Sequence, residues 1–275
     1  MTAGGPLAGL TVMVTRPARQ AGGLCRAIEA AGGRALSLPG VEIAAPRDPA
    51  DARRHLASAG EYDWLIFVSR NAVSEAAPLL GTPLAELAPR VAAVGRGTAA
   101  ALERVGCEPA VRPAAGGGSE ALLEHPALRS VRGRAVLIVR GEGGRELLAR
   151  TLAARGARVD YAEVYRRRRP RASRQRLETL LAGGMPQVVT ATSAAILENL
   201  VAMFPAGSLR ESLLAAQLVV VSERMIKMAR TLGFRRPPLL ADAPSDDALV
   251  AAIVRWRKSD PDPGGSPGPG SAPRV

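Results

Sequence analysis

The sequence predicts an α/β protein with parallel sheets, organised as two similar domains. Three observations carry this. Short apolar runs of strand length alternate with helical periodicities along nearly the whole chain, as in parallel sheets covered by helices. Polar turns rich in Ser, Thr, Gly and Arg follow most of those runs. Finally, Ser69-Arg70-Asn71-Ala72-Val73 followed by AVGRGTAAALERVG is echoed by Thr192-Ser193-Ala194-Ala195-Ile196 followed by VVSERMIKMARTLG, at similar separation (Ser69 to Gly95, Ser193 to Ser222).

Taken in order, Leu10 to Val14 reads as a buried strand that ends in Thr15-Arg16-Pro17. A helix follows from about Arg19 to Ala31, closed by Gly32-Gly33. Ala35 to Ala45 is extended, interrupted by Pro39-Gly40, and reads as a crossing segment. Asp48 is the N-cap of a helix to Ala59, with Pro49 at its first position. Trp64 to Val68 is a strand before Ser69-Arg70-Asn71 and the helix Ala72 to Leu80. Val91 to Val94 is a strand that turns through Gly95-Arg96-Gly97-Thr98 into a helix ending near Gly106. Ala110-Val111 is a short strand, and Ala114 to Ser119 a glycine-rich loop with Ser119 as N-cap.

Val136 to Val139 is a continuous apolar run of buried-strand length. After the turn Arg140 to Gly144, Leu147, Leu148, Leu152 and Ala153 recur at helical spacing, and Gly156 is the stop. Val159, Tyr161 and Val164 mark a second extended segment, with Tyr165 at the head of an arginine run. Arg171 to Leu181 is a helix and Gln187 to Thr190 a strand. Thr192-Ser193 opens a helix to Met203. Leu218 to Val221 is a strand, and Ser222 opens a helix to Gly233. Leu239-Leu240 is a last strand, and Ser245 caps a helix to about Arg257. The Pro/Gly/Ser-rich remainder, residues 258–275, is expected to be disordered.

Composition narrows the function. The 275 residues are 47% hydrophobic but only 3% aromatic, so the core must be Leu, Val and Ala. A net charge of +12 favours an anionic partner. Three Phe, three Tyr and two Trp leave little for a base-stacking platform, and no zinc-finger spacing appears, so no specific nucleic acid is expected. A small polyanion fits the charge. Cys25 and Cys107 are too few for a disulfide framework and read as free thiols in a reducing cytoplasm. His55 and His125 have no nearby ligand set, so no metal is expected. Met1 to Gly9 has no signal-peptide pattern, and no run approaches ~18 apolar residues, so no membrane segment is expected.

The polar turns are where a ligand belongs, because open α/β sheets bind at the carboxyl ends of their strands. Helix N-termini there offer unpaired N–H groups to carboxylates or phosphates. The residues so placed are Thr15, Arg16, Ser69, Asn71, Gly95, Thr98, Ser119, Arg140, Gly141, Gly144, Thr192, Ser193 and Ser222. Each taken alone is also what ordinary helix capping requires. Cofactor motifs fit poorly. Gly141-Glu142-Gly143-Gly144-Arg145-Glu146 lacks the third glycine of a dinucleotide fingerprint. Gly95-Arg96-Gly97-Thr98-Ala99-Ala100 fits the looser form but has no acidic partner about 20 residues on. No phosphate-loop Gly-Lys-Ser/Thr occurs. Tyr165, set among Arg166 to Arg169, is suited to give up a proton. It also reads as an ordinary strand tyrosine. On residues alone, a non-catalytic two-domain sensor of an anionic metabolite accounts for the same turns.

VTRP at Val14 to Pro17, FVSRNAV at Phe67 to Val73, AVGRGT at Ala93 to Thr98 and VLIVRGEGGRELLARTLAARGARVDYAEVYRR from Val136, in this order and spacing, resemble the uroporphyrinogen-III synthase family over about Leu10 to Trp256. The resemblance implies two flavodoxin-like α/β domains joined by a two-stranded β ladder. One domain would combine residues 1–34 with 171–257 and the other would hold 46–158. The ladder would pair 35–45 with 159–170. It further implies a cofactor-free monomeric enzyme that cyclises and dehydrates hydroxymethylbilane, an octacarboxylate, with inversion of the last ring. Tyr165 matches the family's tyrosine, the proton donor to the departing water, and Thr98 a threonine of the central domain. Two positions depart from the pattern. Val68 stands where a threonine is usual, and Ser222-Glu223-Arg224-Met225 replaces a second Gly-x-x-Thr turn, leaving Met225 without the hydroxyl.

Overall fold

A computed structural model describes residues 4–86, 90–112, 117–171 and 174–259. In chain order the first elements are β1 (Thr11–Val14), α1 (Ala18–Ala30), β2 (Arg34–Ser37), β3 (Glu42–Ala44), α2 (Pro49–Ala57), β4 (Trp64–Phe67) and α3 (Arg70–Ala76). Next come β5 (Arg90–Ala93), α4 (Arg96–Arg104), α5 (Ser119–Leu123), α6 (Pro126–Arg129), β6 (Ala135–Gly141), α7 (Leu147–Ala154) and β7 (Arg158–Arg168). The last are α8 (Arg174–Leu180), β8 (Val188–Thr190), α9 (Ala194–Met203), α10 (Ser208–Ala215), β9 (Gln217–Val220), α11 (Glu223–Thr231), β10 (Leu239–Leu240) and α12 (Asp246–Ser259). The protein is α/β, with two sheets dominated by parallel pairs.

Two compact units divide the chain. One runs to Glu42 and resumes at Arg169; the other is Ile43–Arg168. In the first unit the strand order is β2-β1-β8-β9-β10. Numbered within the unit, that is the 2-1-3-4-5 order of flavodoxin-like sheets. Every residue of β1, β8 and β9 is buried, as expected where helices cover both faces. Val12, Val14, Val188 and Val219 pack with Leu24 and Ile28 of α1 and Leu249, Ile253 and Trp256 of α12.

In the second unit the order is β3-β7-β6-β4-β5. It is the same arrangement with its outermost strand supplied from the start of the segment. Leu65, Phe67, Leu137 and Val139 pack on one face with α2, α3 and α4. Trp64, Ile66, Val136 and Ile138 pack on the other with α5, α6 and α7. Aromatics are sparse, so the two cores are largely aliphatic, as composition requires.

Several local expectations meet a different outcome. Residues 35–45, expected to pair with 159–170, are divided at the Pro39-Gly40 interruption, where proline cannot donate to a sheet. Glu42–Ala44 lies beside β7, within that expected pairing, whereas Arg34–Ser37 pairs with β1 instead. Ala110-Val111 is not a strand; Val111 makes a single bridge to Ala92. Ser119 does not cap a helix, because Gly118, with φ 108°, takes that position and Ser119 is the first helical residue. Residues 114–116 of the glycine-rich loop lie outside the described residues. So does the tail from residue 260; Lys258 and Ser259 end α12.

Candidate functional site

The site is built where β4, β6 and β7 end in the second unit. β6 pairs with β7 residue for residue up to Arg140↔Glu163, and the next pair is Gly141↔Tyr165. Val164 is therefore an extra residue, a bulge, which bends a strand and re-aims the residues beyond it. Were β7 regular here, Tyr165 would point to the opposite face of the sheet from Val164, because side chains alternate. With it, Val164 and Tyr165 are both 2% exposed and both join the cluster of Phe67 and Val139.

The tyrosine ring lies flat against Gly141. A Cβ on that glycine would come within 2.5 Å of the ring's Cζ, so no other residue fits without moving the ring. The hydroxyl has two partners. Ser69 Oγ is 3.0 Å away, and Arg167 Nη2 donates to it at 3.2 Å. The Arg167 guanidinium stands 5.7 Å from the ring centroid. Ser69 is itself fixed: it is the N-cap of α3, and its Oγ accepts from the Ala72 N–H at 3.1 Å.

A cavity of about 340 Å³ opens here. Ser69, Ser119, Arg140, Gly141, Gly144 and Tyr165 line it together, six of the residues singled out from sequence. Gly143 and Gly144, with φ 69° and 113°, make the turn at its rim, a conformation that suits glycine. Val68, in place of the usual threonine, is half-buried and adds an apolar wall.

Arg140 is held from below. It is only 7% exposed and pairs with Glu146 at 3.0 Å and Glu163 at 3.2 Å, with its guanidinium 4.4 Å from the Tyr161 ring centroid. Two carboxylates neutralise it, so the turn is less cationic than its sequence reads. Tyr161 lines the same cavity and donates to Glu146. Burial, then that carboxylate, pushes its phenol up to about 12. Arg145 pairs with exposed Glu120.

Gly95 is the N-cap of α4, and Thr98 is buried inside its first turn at 6% exposure. Neither lines the cavity, whereas Val94 does. Asn71 lies half-buried in the first turn of α3. The remaining expected residues are in the first unit, at the ends of β1, β8 and β9. Thr15 is fully buried and donates its hydroxyl to the Thr190 carbonyl. Arg16 is drawn to Asp246 and the Pro244 carbonyl. Ser193 caps α9 through the Ile196 N–H at 3.3 Å, and Thr192 beside it is half-buried. Ser222 stands at the N-cap of α11 without a side-chain capping bond. Met225, at the position that loses a hydroxyl, is buried at 3% exposure.

Sequence reasoning does not single out Arg167, Glu142, Glu146, Glu163 or Tyr161 as site residues. Their roles depend on which strand lies beside which, and the arginine run gives only a general cationic signal. Among the described residues, no three His, Cys, Asp or Glu side chains gather as metal ligands would.

The chain is similar to known proteins along most of its length. The family model described as Uroporphyrinogen-III synthase HemD matches residues 23–251. The uroporphyrinogen-III synthase of Salmonella typhimurium is 35% identical over 248 residues, covering 89% of this chain and 100% of that protein. That of Escherichia coli K12 is 33% identical over 246 residues, again covering 89% and 100%. The crystal structure of uroporphyrinogen-III synthetase from Helicobacter pylori 26695 superposes with a TM-score of 0.58 at 17% identity, covering 90% of this chain and 99% of that one. The last likeness is one of fold.

Proposed function

Because the chain belongs to the uroporphyrinogen-III synthase family, we propose that Tyr165 is the group that hands a proton to the departing water in its reaction. The activity is that of a cyclising hydro-lyase of haem biosynthesis, which closes hydroxymethylbilane to uroporphyrinogen III. The observation that carries the role of Tyr165 is its hydroxyl, bracketed by Ser69 and Arg167 at the wall of the 340 Å³ cavity. Tyr161 is the other phenol there, but a phenol held near 12 against a carboxylate is the poorer donor.

The chemistry asks little acid-base power of the protein. The pyrrole nitrogen pushes electrons as the hydroxymethyl C–O bond breaks, and Tyr165 supplies the proton that turns the hydroxyl into water. The far pyrrole attacks the resulting azafulvene through a spiro intermediate, which inverts the last ring. Holding the flexible chain in the productive fold is the larger contribution, since correct placement lowers the barrier by converting loose encounters into fixed ones. Substrate carboxylates would be received by the hydroxyls and backbone N–H groups of the turns at Ser119, Gly141 and Gly144, and at Thr192, Ser193 and Ser222. Arg140 and Arg16, already paired with carboxylates, contribute by shaping their turns. Half-buried Cys25 and buried Cys107 are both free, which suits a reducing cytoplasm. Each unit has its own core, so a monomer suffices.

The test is incubation of the protein with freshly made hydroxymethylbilane and separation of the porphyrin isomers after oxidation. The type III isomer is expected, and Tyr165→Phe should slow its formation by about 100-fold, within the range of general acid catalysis. Type I isomer alone, as in spontaneous closure, would refute the activity. An unchanged rate for Tyr165→Phe would remove the tyrosine from the mechanism. Sedimentation of the active protein reads the monomer directly.

A further inference from the structure

We infer that Ser69 and Arg167 are positioning residues that hold the Tyr165 hydroxyl and carry its negative charge once the proton has left, and that Gly141 is the floor on which the ring is set. The inference rests on the reading of Tyr165 as proton donor, and its test separates the two.

The donors and acceptors around the hydroxyl make the case. A tyrosine hydroxyl has one proton to give and can accept. Arg167 Nη2 can only donate, so at 3.2 Å the Tyr165 oxygen is the acceptor. Ser69 Oγ accepts from the Ala72 N–H at 3.1 Å and has an O–H that can be donated to Tyr165 at 3.0 Å. When both neighbours donate, the Tyr165 proton is the one not used inside the protein. It is free to point into the cavity, toward a leaving hydroxyl. When that proton moves, the C–O bond of the substrate breaks, water departs, and the phenolate keeps both donors. Donors placed in advance where charge develops are worth more than mobile solvent. After ring closure, the inverted pyrrole sheds one proton, and the phenolate recovers it. The balance is one water lost and no net proton.

Gly141 fixes where this happens. The bulge at Val164 brings Tyr165 opposite Gly141. A methyl group added to Gly141 would lie 2.5 Å from Cζ, so alanine there must push the ring off its partners. All four groups belong to one unit, so the arrangement is a property of that unit alone.

The experiment uses the full chain and fresh hydroxymethylbilane, measuring kcat and KM for type III formation across neutral to alkaline pH. Ser69→Ala and Arg167→Gln should each lower kcat by about 10- to 100-fold, the cost of removing one oxyanion donor. KM should stay within about 3-fold. Loss of a donor to the phenolate disfavours it, so the alkaline limb of the kcat profile should move to higher pH. Ser69→Thr, which retains hydroxyl and cap, should recover most of the rate. Gly141→Ala should lower kcat in the same way. In a Tyr165→Phe background none of the three should cost more, because residues that act through one group are not additive. A further loss in that background, or a change in KM alone, would show that Ser69 and Arg167 meet the substrate directly and overturn the inference. Full activity of Gly141→Ala would remove the floor. An unaffected Tyr165→Phe enzyme is a different failure, that of the donor assignment. Circular dichroism of each variant excludes unfolding, and Ser69→Thr keeps the test open if Ser69→Ala loses α3.

Discussion

Arg140 looks from sequence like a ligand for anions and turns out to be a tie between strand and helix. Its side chain is 8% exposed, while Glu146 and Glu163 are 42% and 38% exposed. Removing it leaves carboxylates that water can reach, so the cost should fall below the ~3–5 kcal/mol of breaking a wholly buried pair. Arg140→Met is expected to lower unfolding stability by about 2 kcal/mol, read as a shift in the urea midpoint. A variant of unchanged stability but raised KM would instead make Arg140 a ligand. The same network gives a pH dependence. The Tyr161 hydrogen bond, then Arg140, holds the Glu146 carboxyl below the usual carboxylate range. A depressed carboxyl stabilises the folded state above its unfolded pKa, and that contribution is lost as pH falls through the folded value. Wild type should therefore lose stability on acidification more steeply than Arg140→Met, in parallel urea titrations. None of this was legible in the sequence, because Glu163 meets Arg140 only through the register of β6 and β7.

The elements divide by how local their causes are. Asp48 with Pro49 is read correctly as a cap, and Ser69 and Ser193 meet the capping that their turns also allowed, because a cap is settled within four residues. Ser119 misleads because Gly118 before it adopts a positive φ that no pattern announces. The apolar residues Val159, Tyr161 and Val164 signal a strand but not its bulge. Its consequence, Tyr165 turned into the cluster of Phe67, needs the partner strand. Deleting Val164 tests the bulge. Tyr165 would then follow Glu163 directly, in the slot beside Gly141 and on the face of Ala162 that it already occupies through the bulge. The expected outcome is a folded protein by circular dichroism that retains type III formation. A loss comparable to that of the general acid, about 10²–10⁴-fold, would mean that the bend of the bulge, and not the pairing alone, sets the ring on Ser69. Arg34–Ser37 and Glu42–Ala44 could not be told apart as members of two sheets, since both are short and half-exposed. Only the Pro39-Gly40 break between them was visible.

The alternation of strands and helices and the echoed turns made two α/β units legible, but not which strands each would own. The two sheets share one spatial arrangement apart from the chain origin of the outermost strand, yet the first unit is assembled from two distant stretches and the second from a single run, Ile43–Arg168. That run supplies its own outermost strand, β3, before the other four. Its sheet is covered on both faces, by the cluster of Leu65, Phe67 and Leu137 and by that of Trp64, Ile66 and Val136. Ser69, Gly141, Tyr165 and Arg167 all lie within it. A domain needs its own core to fold alone, and this segment, of ordinary domain length, has one on each face of its sheet. Expressed as residues 43–168, it should unfold cooperatively in urea, and its Trp64 fluorescence should change in the same transition as its circular dichroism, as for a small two-state domain. Non-coincident transitions in the 43–168 segment would show that its sheet depends on the rest of the chain.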